Sequence, residues 1–484
     1  MQKQLNIVFV LLTATVFLFL LVPNIYQEGL FMDGLIYSTT GLNLANGIGT
    51  FWNLTFTKTV ISNFDGHPPL AMYFQNIFFK LLGESHSVEK IYSSFTAVIT
   101  VLLLIVTWNF FQKEKQTNSL YWIPILLWIT IPVCFWSYQN NVLENTMGIF
   151  TLAACLCSLY AIYKTGYLKY ALLFFASVFI VLGFLSKGFP AFFPLAVFGL
   201  HFIVYKKESI VQGITSTVFT LFTCAFILSL IFWDETARKF IFHYLDIQVM
   251  ESLKGNQVVD PRSFILIRLL RELMAPFLLL VILFLFAFFK HKAKTLFSVY
   301  SKEQMKDSWF LFLIGLSASL PIMISPKQMG YYLLPALPFF VLAISNLIAP
   351  LMVKVCAKKT SIRFFYSSYL VFFAALISIF IYAQINSVNP TRDKDLINDV
   401  KTIGNYLEKD ITIGIKESLL VKWSLIAYLQ RYYFINVETF DKHKYVVTEK
   451  ISPLENPNYV LVLEAKGFLL YVNQGIENKQ GSFN

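Results

Sequence analysis

Long apolar runs separated by short polar connections fill the first 386 residues of the chain. About 18 consecutive apolar residues are enough for a helix to cross a bilayer. Eleven runs are therefore predicted to be membrane spans. Basic and non-basic connections alternate along the chain, so the number of spans can be wrong only by an even number. Thirteen spans is the alternative. The runs are residues 5–23, 91–111, 120–138, 144–163, 170–186, 190–206, 213–233, 272–290, 308–325, 331–350 and 364–385.

Basic residues in the short connections predict the orientation of these spans. Internal loops are enriched in Lys and Arg, and an internal N-terminus puts thirteen basic residues in the internal connections, while the connection from Tyr138 to Asn145 has none. Residues 25–90, residues 234–270 and the C-terminal tail are then external. The first run has no small-x-small cleavage site and is predicted to be retained. The internal basic residues are Lys113, Lys115, Lys164, Lys169, Lys206, Lys207, Lys290, Lys292, Lys294, Lys354, Lys358, Lys359 and Arg363.

From about Ser387 the chain becomes charged, and its pattern predicts a small α/β fold. Apolar residues at steps of three and four predict helices from Leu396 to Glu408 and from Trp423 to Tyr433. Short apolar or alternating runs predict strands. These strands are Ile411 to Ile415, Tyr445 to Val447 and Tyr459 to Val462.

The predicted fold class is therefore a polytopic all-α membrane domain with a small C-terminal soluble α/β domain. The membrane domain is predicted to cover residues 1–386, including the outer loop 25–90. The soluble domain is predicted to cover residues 387–484 and to be extracytoplasmic.

Composition agrees with a membrane protein and argues against other classes. The chain has 484 residues, of which 56% are hydrophobic and 14% charged, whereas soluble proteins have about 25% charged residues. The net charge of +11 is explained by orientation of the spans, so no nucleic-acid partner is predicted. None of the five cysteines has metal-ligand spacing, and neither a disulfide framework nor thiol chemistry is predicted.

Two acidic residues near predicted outer ends of spans are candidates for catalysis, because charge at membrane depth is costly and tends to serve a function. Asp33 follows the first span, and Tyr37 lies one helical turn further on. Glu144 is the only carboxylate between Glu114 and Glu208. The alternative for both acids is a helix-start residue favoured by the helix dipole.

The segment Asn63 to Leu70 contains Asp65 and a rigid His67-Pro68-Pro69 turn. Proline fixes its own φ and holds the preceding residue extended, which favours presentation of His67 in a fixed position. A plain turn before the next helix is the alternative. Asp65 and His67 are also candidate ligands for a divalent metal, although two ligands do not define a site.

Two lysines depart from the positive-inside pattern. Lys187 lies in Ser186-Lys187-Gly188-Phe189-Pro190, and Lys327 lies in the segment Ser325 to Pro335. Each is a single cation in a tight predicted outer turn, where it can bind a phosphate near the headgroup level. The alternative is a snorkelling lysine. The outer loop 234–270 adds further basic residues.

Taken in order, these motifs resemble the GT-C membrane glycosyltransferases. They are an acid after the first helix, His-Pro-Pro-Leu, Lys-Gly-x-Pro and Lys-x-x-x-Tyr-x-Leu-x-Pro. The branch they resemble is that of the bacterial relatives of protein O-mannosyltransferases and of the lipid A aminoarabinose transferase. The resemblance covers residues 1 to about 350.

The resemblance implies an enzyme that takes a hexose or pentose from a polyprenyl-phosphate donor on the outer face of the bacterial inner membrane, with inversion. The acceptor would be lipid A, another glycolipid, or Ser or Thr of a protein. It implies that Asp33 is catalytic and that Glu144 lines the same cavity. It also implies that Lys327 and Tyr331, with Tyr332 as the neighbouring alternative, bind the lipid phosphate. We expect His67 and Lys187 to hold the phosphate together with Lys327. Tyr37 and Asp65 are further candidates for substrate binding.

The sequence departs from the pattern of this family at two places. Asn145 follows Glu144, where many relatives have Asp followed by Pro. Gly66-His67 replaces the Glu-Lys pair of the aminoarabinose branch, which removes an acidic metal ligand and exchanges a fixed cation for a titratable group. The motifs therefore predict neither the use of a particular metal nor the identity of the sugar.

The alternative function is a transporter or flippase for a polyprenyl-linked glycan. That function predicts charges in the middle of helices and an inverted repeat, and the sequence shows neither. A non-catalytic assembly protein is a third hypothesis, in which the candidate acids and cations would not come together.

Overall fold

The computed structural model describes residues 3–112, 114–206, 209–250, 261–290, 300–355, 362–387, 392–440 and 443–474. Cys356 and several internal lysines of the orientation argument lie outside these ranges. These lysines are Lys113, Lys207, Lys292, Lys294, Lys358 and Lys359.

Nine helices in the described part of the chain are long and apolar enough to cross a membrane. Every one coincides with a run predicted from the sequence, so the chain is an integral membrane protein of the predicted all-α class. The two remaining runs are a bent pair, Lys115–Thr130 with Pro132–Gln139, and the shorter Phe189–Tyr205. The described residues therefore contain nine spans, or ten if the bent pair is one span, where eleven were predicted. The nine helices are Lys3–Tyr26, Val88–Phe111, Leu143–Ile162, Gly166–Lys187, Ile210–Ile231, Phe264–Phe289, Lys302–Ile324, Leu337–Lys354 and Arg363–Ser387.

The bend of 72° in the pair has an identifiable cause. Pro132 has no N–H to donate to the preceding turn, and the residue before it is extended, which ends the first helix. The buried carboxylate of Glu272 accepts a hydrogen bond of 3.0 Å from the backbone N–H of Val133 and forms an ion pair of 2.6 Å with Arg268. Glu272 thus caps the second helix, where an orphan N–H would otherwise be buried.

Shorter helices connect or flank the spans. Those with α geometry are Met32–Ala45, Leu70–Leu82, Lys115–Asn118, Trp122–Thr130, Val197–Tyr205 and Glu235–Tyr244. Tighter 3₁₀ turns occur at Phe189–Ala196, Leu320–Ile324, Gly330–Leu333 and Glu417–Leu419, and a π-helical turn covers Leu245–Met250.

The chain divides into two compact units. The first comprises Met1–Asn24, Gly66–Ala71 and Ser93–Ala383. The second comprises Ile25–Asp65, Met72–Tyr92 and Gln384–Asn484. The predicted outer loop 25–90 therefore folds largely with the C-terminal residues.

The second unit contains a five-stranded mixed sheet. Its strands are β1 Thr412–Ile415, β2 Asn436–Thr439, β3 Tyr445–Glu449, β4 Tyr459–Glu464 and β5 Phe468–Asn473. The order is β2-β1-β3-β5-β4, with β1 parallel to β2 and β3 and with antiparallel pairing of β3 and β4 to β5. The α/β prediction is confirmed, including helices at Lys394–Tyr406 and Trp423–Tyr433; β2 and β5 were not predicted.

The N-terminal part of the second unit shares its hydrophobic core with the sheet. Leu30 and Leu35 are buried in one cluster with Ile397 and Val400. The N–H of Leu30 donates a hydrogen bond of 3.1 Å to Tyr428 Oη, and this hydroxyl donates to Asp393 Oδ2 over 3.1 Å. The helix Met32–Ala45 is thus anchored within this unit.

Candidate active site

The first unit contains a cavity of about 470 Å³ that is lined by both ionisable and apolar side chains. The ionisable part is referred to below as the ionic wall, and it consists of His67, Glu144, Lys187, Lys327, Tyr244 and Tyr332. The rest of the lining is mainly aromatic and aliphatic. It includes Phe189, Pro190, Phe192, Phe193, Ile322 and Ile324.

Glu144 and Lys187 form a buried ion pair at the centre of the ionic wall. Glu144 is in the first turn of the helix Leu143–Ile162, and Lys187 is the last residue of the helix Gly166–Lys187. Lys187 Nζ lies 3.2 Å from Glu144 Oε1, and the two side chains are 9% and 1% exposed. Each residue sits at the helix end whose dipole stabilises its charge.

His67 is the second neighbour of Lys187. Its Nε2 lies 3.5 Å from Lys187 Nζ, and because an ammonium group can only donate, Nε2 is the acceptor and the ring proton is on Nδ1. Burial, together with the charges of Lys187 and Lys327, lowers the pKa of His67 well below its usual value. His67 is therefore neutral at pH 7 and leaves the lysines as the cations of this wall.

We expect His67 to make the protein sensitive to mild acid. The unfolded chain takes up a proton at this residue as the pH falls through about 6.5, whereas the folded protein does so only at lower pH. This group's contribution to the free energy of unfolding is thus complete above pH 6.5. Below that pH it is lost progressively, by up to about 1.4 kcal/mol per pH unit, until the lowered pKa of the folded state is reached.

Thermal unfolding of the detergent-solubilised protein at pH 7.5 and pH 5.5 measures this effect. The melting temperature of wild type should fall more on acidification than that of His67→Gln. The matched control is His243→Gln, at an exposed histidine, which should behave like wild type. Equal acid sensitivity of wild type and His67→Gln would contradict the assignment.

Gly188 and Tyr244 fix the backbone next to Lys187. Gly188 has φ of 113°, a conformation that residues with a Cβ rarely adopt. A Cβ at this position would also lie 2.0 Å from Tyr244 Oη, which itself donates a hydrogen bond of 3.3 Å to the carbonyl of Lys187. Burial raises the pKa of Tyr244, so its hydroxyl keeps its proton. The glycine of the Lys-Gly-x-Pro motif is thus required by geometry.

We expect Gly188→Ala to displace Lys187 or Tyr244 and to weaken binding of any anionic ligand in the cavity by at least tenfold. The matched control is Gly199→Ala, because Gly199 lies on a nearby helix where a Cβ meets nothing within 4 Å. Binding of a short-chain polyprenyl phosphate by both purified variants measures the difference. An affinity for this ligand that is the same in Gly188→Ala and wild type would show that the Lys187 turn is not part of the site.

The turn that carries Lys327 is held by Gln328, whose side chain is fully buried. Gln328 Oε1 accepts from the N–H of Ile265 over 2.9 Å, and its Nε2 donates over 3.0 Å to the carbonyls of Arg262 and Ser325. The bonds to Ile265 and Arg262 join the turn to the start of the helix Phe264–Lys290, and the bond to Ser325 closes the turn itself. Gln328 is therefore a positioning residue for Lys327.

The two adjacent tyrosines after Lys327 have different surroundings. Tyr332 lines the cavity, and the ammonium of Lys187 lies 5.6 Å from the centre of its ring, within the range of a cation–π interaction. Tyr331 is buried and stacks on Trp136 with ring centres 5.9 Å apart. Tyr332 thus has the position in the cavity that the sequence motif gave first to Tyr331.

Three further predicted site residues belong to the second unit. Asp33 is the second residue of the helix Met32–Ala45 and is partly exposed. Tyr37, one turn later, is buried and contacts Phe64 edge to face, with ring centres 6.5 Å apart. Asp65 is also buried, at 9% exposure.

The structure thus brings His67, Glu144, Lys187, Lys327 and Tyr332 to one cavity. Two residues of this site, Tyr244 and Gln328, were not predicted from the sequence. Tyr244 ends the helix Glu235–Tyr244, in the predicted outer loop 234–270, and has no motif around it. Gln328 lies inside a motif but has no charge to mark it. In the described ranges, no three His, Cys, Asp or Glu side chains lie close enough to hold a metal ion.

No protein-family model matches the chain, and no curated protein matches it. Solved structures do match. ArnT from Cupriavidus metallidurans bound to undecaprenyl phosphate has a TM-score of 0.64 at 12% identity, with 98% of both chains covered. Its apo state gives 0.61 at 10% identity, covering 96% of this chain and 97% of that one.

A second group of matches is archaeal. The oligosaccharyltransferase AglB from Archaeoglobus fulgidus, in complex with an inhibitory peptide and a dolichol-phosphate, gives a TM-score of 0.51 at 12% identity. The match covers 92% of this chain and 69% of AglB. ArnT and AglB both have the GT-C fold, and the likeness shows that this chain has it too.

Proposed function

From the GT-C fold of the chain, we propose that the protein is a glycosyltransferase that uses a polyprenyl-phosphate sugar as its donor. It transfers a hexose or pentose, with inversion, to an acceptor on the outer face of the bacterial inner membrane. The acceptor is lipid A, another glycolipid, or a Ser or Thr side chain of a protein.

The observation that carries this proposal is that cationic and apolar side chains line the same cavity. A polyprenyl-phosphate sugar has an anionic phosphate joined to a long apolar chain. Lys187 and Lys327 supply cations for the phosphate, and the aromatic and aliphatic side chains of the lining suit the isoprenoid units next to it. The matched structures support the same ligand class, because one ArnT structure is bound to undecaprenyl phosphate and one AglB structure to a dolichol-phosphate.

In the proposed reaction Asp33 removes the proton from the acceptor hydroxyl. The acceptor oxygen attacks the anomeric carbon from the side opposite the phosphate, which gives inversion. The bond between the anomeric carbon and the phosphate oxygen breaks, and its electron pair stays on the departing polyprenyl phosphate. General base catalysis of this kind contributes about 10²–10⁴-fold.

Lys187 and Lys327 stabilise the negative charge that develops on the departing phosphate. Neutral His67 keeps a nitrogen next to Lys187 and can become a third cation, because a bound phosphate dianion favours the protonated form. Glu144 serves as the counter-ion that keeps Lys187 in place before the donor binds. It also offers a carboxylate to a sugar hydroxyl.

No step of this scheme passes through a metal. A divalent metal at the candidate ligands Asp65 and His67 would need further ligands, and no group of three His, Cys, Asp or Glu side chains that could hold a metal ion occurs among the described residues. The external location of the cavity is proposed from the predicted orientation of the spans. The boundary at residue 386 between the membrane domain and the soluble domain stays a prediction.

Mass spectrometry of envelope glycolipids and glycoproteins tests the proposed function. Cells with the wild-type chain should contain a lipid or protein species heavier by one hexose or pentose unit than the same species in cells without it. Cells with an Asp33→Asn chain should match the deletion. Identical envelope profiles in all three strains, with the donor lipid present, would contradict the proposal.

A further inference from the structure

A second, almost wholly apolar groove lies in the first unit, away from the Glu144–Lys187 cavity. It consists of two chambers of about 680 and 710 Å³. The chambers share four lining residues and are therefore adjacent, and the two together are referred to below as the groove. The shared residues are Leu280, Val281, Met305 and Leu347. None of the residues that line the groove also lines the Glu144–Lys187 cavity.

Three spans form the walls of the groove: Phe264–Lys290, Lys302–Ser319 and Leu337–Val355. On the first of them the lining runs from Leu270 to Leu285, which is about 22 Å along a helix. One leaflet of the hydrocarbon core is roughly 15 Å thick. The groove is thus long enough to hold an extended acyl chain over the full depth of a leaflet.

One end of the groove is basic. Lys302 and Lys306 line it there, beside Tyr300 and Ser301, and the two lysines lie one helical turn apart on the same face. This end of the span is the predicted internal end, because the same span leads at its other end to the predicted outer turn of Lys327.

The acidic neighbours of these lysines do not line the groove. Glu303 and Asp307 occupy an adjacent face of the same helix, and Asp307 accepts a hydrogen bond from the hydroxyl of Tyr205. The segregation of lysines from acids leaves a cationic end on an apolar groove. A ligand that fits has a negative head and a long apolar body.

We propose that this groove binds an anionic phospholipid of the cytoplasmic leaflet. Lys302 and Lys306 hold the phosphate, and one acyl chain lies along the groove towards Leu270. The cytoplasmic leaflet is the source of choice because anionic phospholipids give it a negative surface. The site differs from the Glu144–Lys187 cavity in its lining residues, its predicted side of the membrane and its ligand.

Native mass spectrometry of the full-length protein in detergent, titrated with phosphatidylglycerol or phosphatidylcholine, tests this site. Wild type should bind phosphatidylglycerol at least tenfold more tightly than phosphatidylcholine. A lysine near an anionic lipid contributes roughly fivefold in affinity, so Lys302→Gln/Lys306→Gln should bind phosphatidylglycerol about thirtyfold more weakly. Val281→Trp, which keeps both lysines but fills the groove, should weaken binding of both lipids.

The matched control is Lys164→Gln/Lys169→Gln, which removes two lysines from another predicted internal connection. This pair should bind phosphatidylglycerol like wild type. The proposal is overturned if the control pair loses as much affinity as the Lys302/Lys306 pair, or if neither that pair nor Val281→Trp changes binding. Stronger binding of a polyprenyl phosphate than of phosphatidylglycerol, lost in the Lys302/Lys306 variant, would assign the groove to a different lipid and also overturn it.

Discussion

Replacement of Asp33 by asparagine is expected to reduce sugar transfer by about 10²–10⁴-fold, the usual contribution of a general base. Asparagine has nearly the same shape as aspartate but cannot accept the proton of the acceptor hydroxyl. Asp33 is partly exposed at the start of its helix, so the variant should fold and insert normally. The measurement is the initial rate of transfer by purified protein at saturating donor.

The matched control is Asp410→Asn in the same unit. Asp410 is exposed and pairs with Lys58 over 2.5 Å, and exposed pairs of this kind contribute little to stability. Its variant should transfer sugar at the wild-type rate. If Asp33→Asn is as active as this control, the catalytic assignment of Asp33 is wrong.

The second large effect is expected at the buried pair of Lys187 and Glu144. Lys187→Gln leaves the carboxylate of Glu144 buried without its ammonium partner, and breaking a buried ion pair costs about 3–5 kcal/mol. The same change removes a cation from the proposed phosphate site. We therefore expect both a lower melting temperature and loss of donor binding.

A double variant separates these two consequences. In Lys187→Gln/Glu144→Gln both charges are gone, so no buried carboxylate has lost its ammonium and most of the lost stability should return. Donor binding should remain at least 100-fold weaker than in wild type, because the phosphate still lacks its cation. Recovery of both stability and donor binding in the double variant would mean that Lys187 is purely structural.

Sequence patterns located most of the membrane-spanning part of the fold. Length and apolar content located nine helices that are long enough to span and the bent pair, because the bilayer imposes a minimum length that few other structures share. The run 190–206 was also predicted to be a span, but its helix, Phe189–Tyr205, is shorter than the spans. Pro132 lies within one of these runs, but the bend of 72° next to it was not predicted. The bend needed knowledge of Glu272, which lies far along the chain and caps the second helix from another span.

Local sequence patterns did not predict which segments of the chain make up the second unit. Its unity depends on long-range pairs, such as Arg431 with Glu89 over 2.8 Å and Leu30 with Tyr428. Neither pair has a periodic signal, and a buried arginine in an amphipathic helix looks like an exposed one from the sequence. Strand β2, Asn436–Thr439, was missed because it is short and three of its four residues are polar.

The candidate site was predicted in part for a chemical reason. Charged residues at span ends stand out from an apolar background, so Glu144, Lys187 and Lys327 could be found without a structure. Their partner His67 was marked by the two prolines. Tyr244 had no such mark, and the choice between Tyr331 and Tyr332 needed the packing of Trp136, since the two tyrosines differ by one residue in sequence.

The proposed reaction breaks the bond between a sugar and a polyprenyl phosphate. Mass spectrometry of purified protein in proteoliposomes, supplied with polyprenyl-phosphate sugars extracted from the source membranes, measures whether this bond is broken. We expect free polyprenyl phosphate to form in step with glycosylated acceptor, and Asp33→Asn to produce neither. Passage of intact donor across the bilayer, with no polyprenyl phosphate released, would contradict it and favour a flippase.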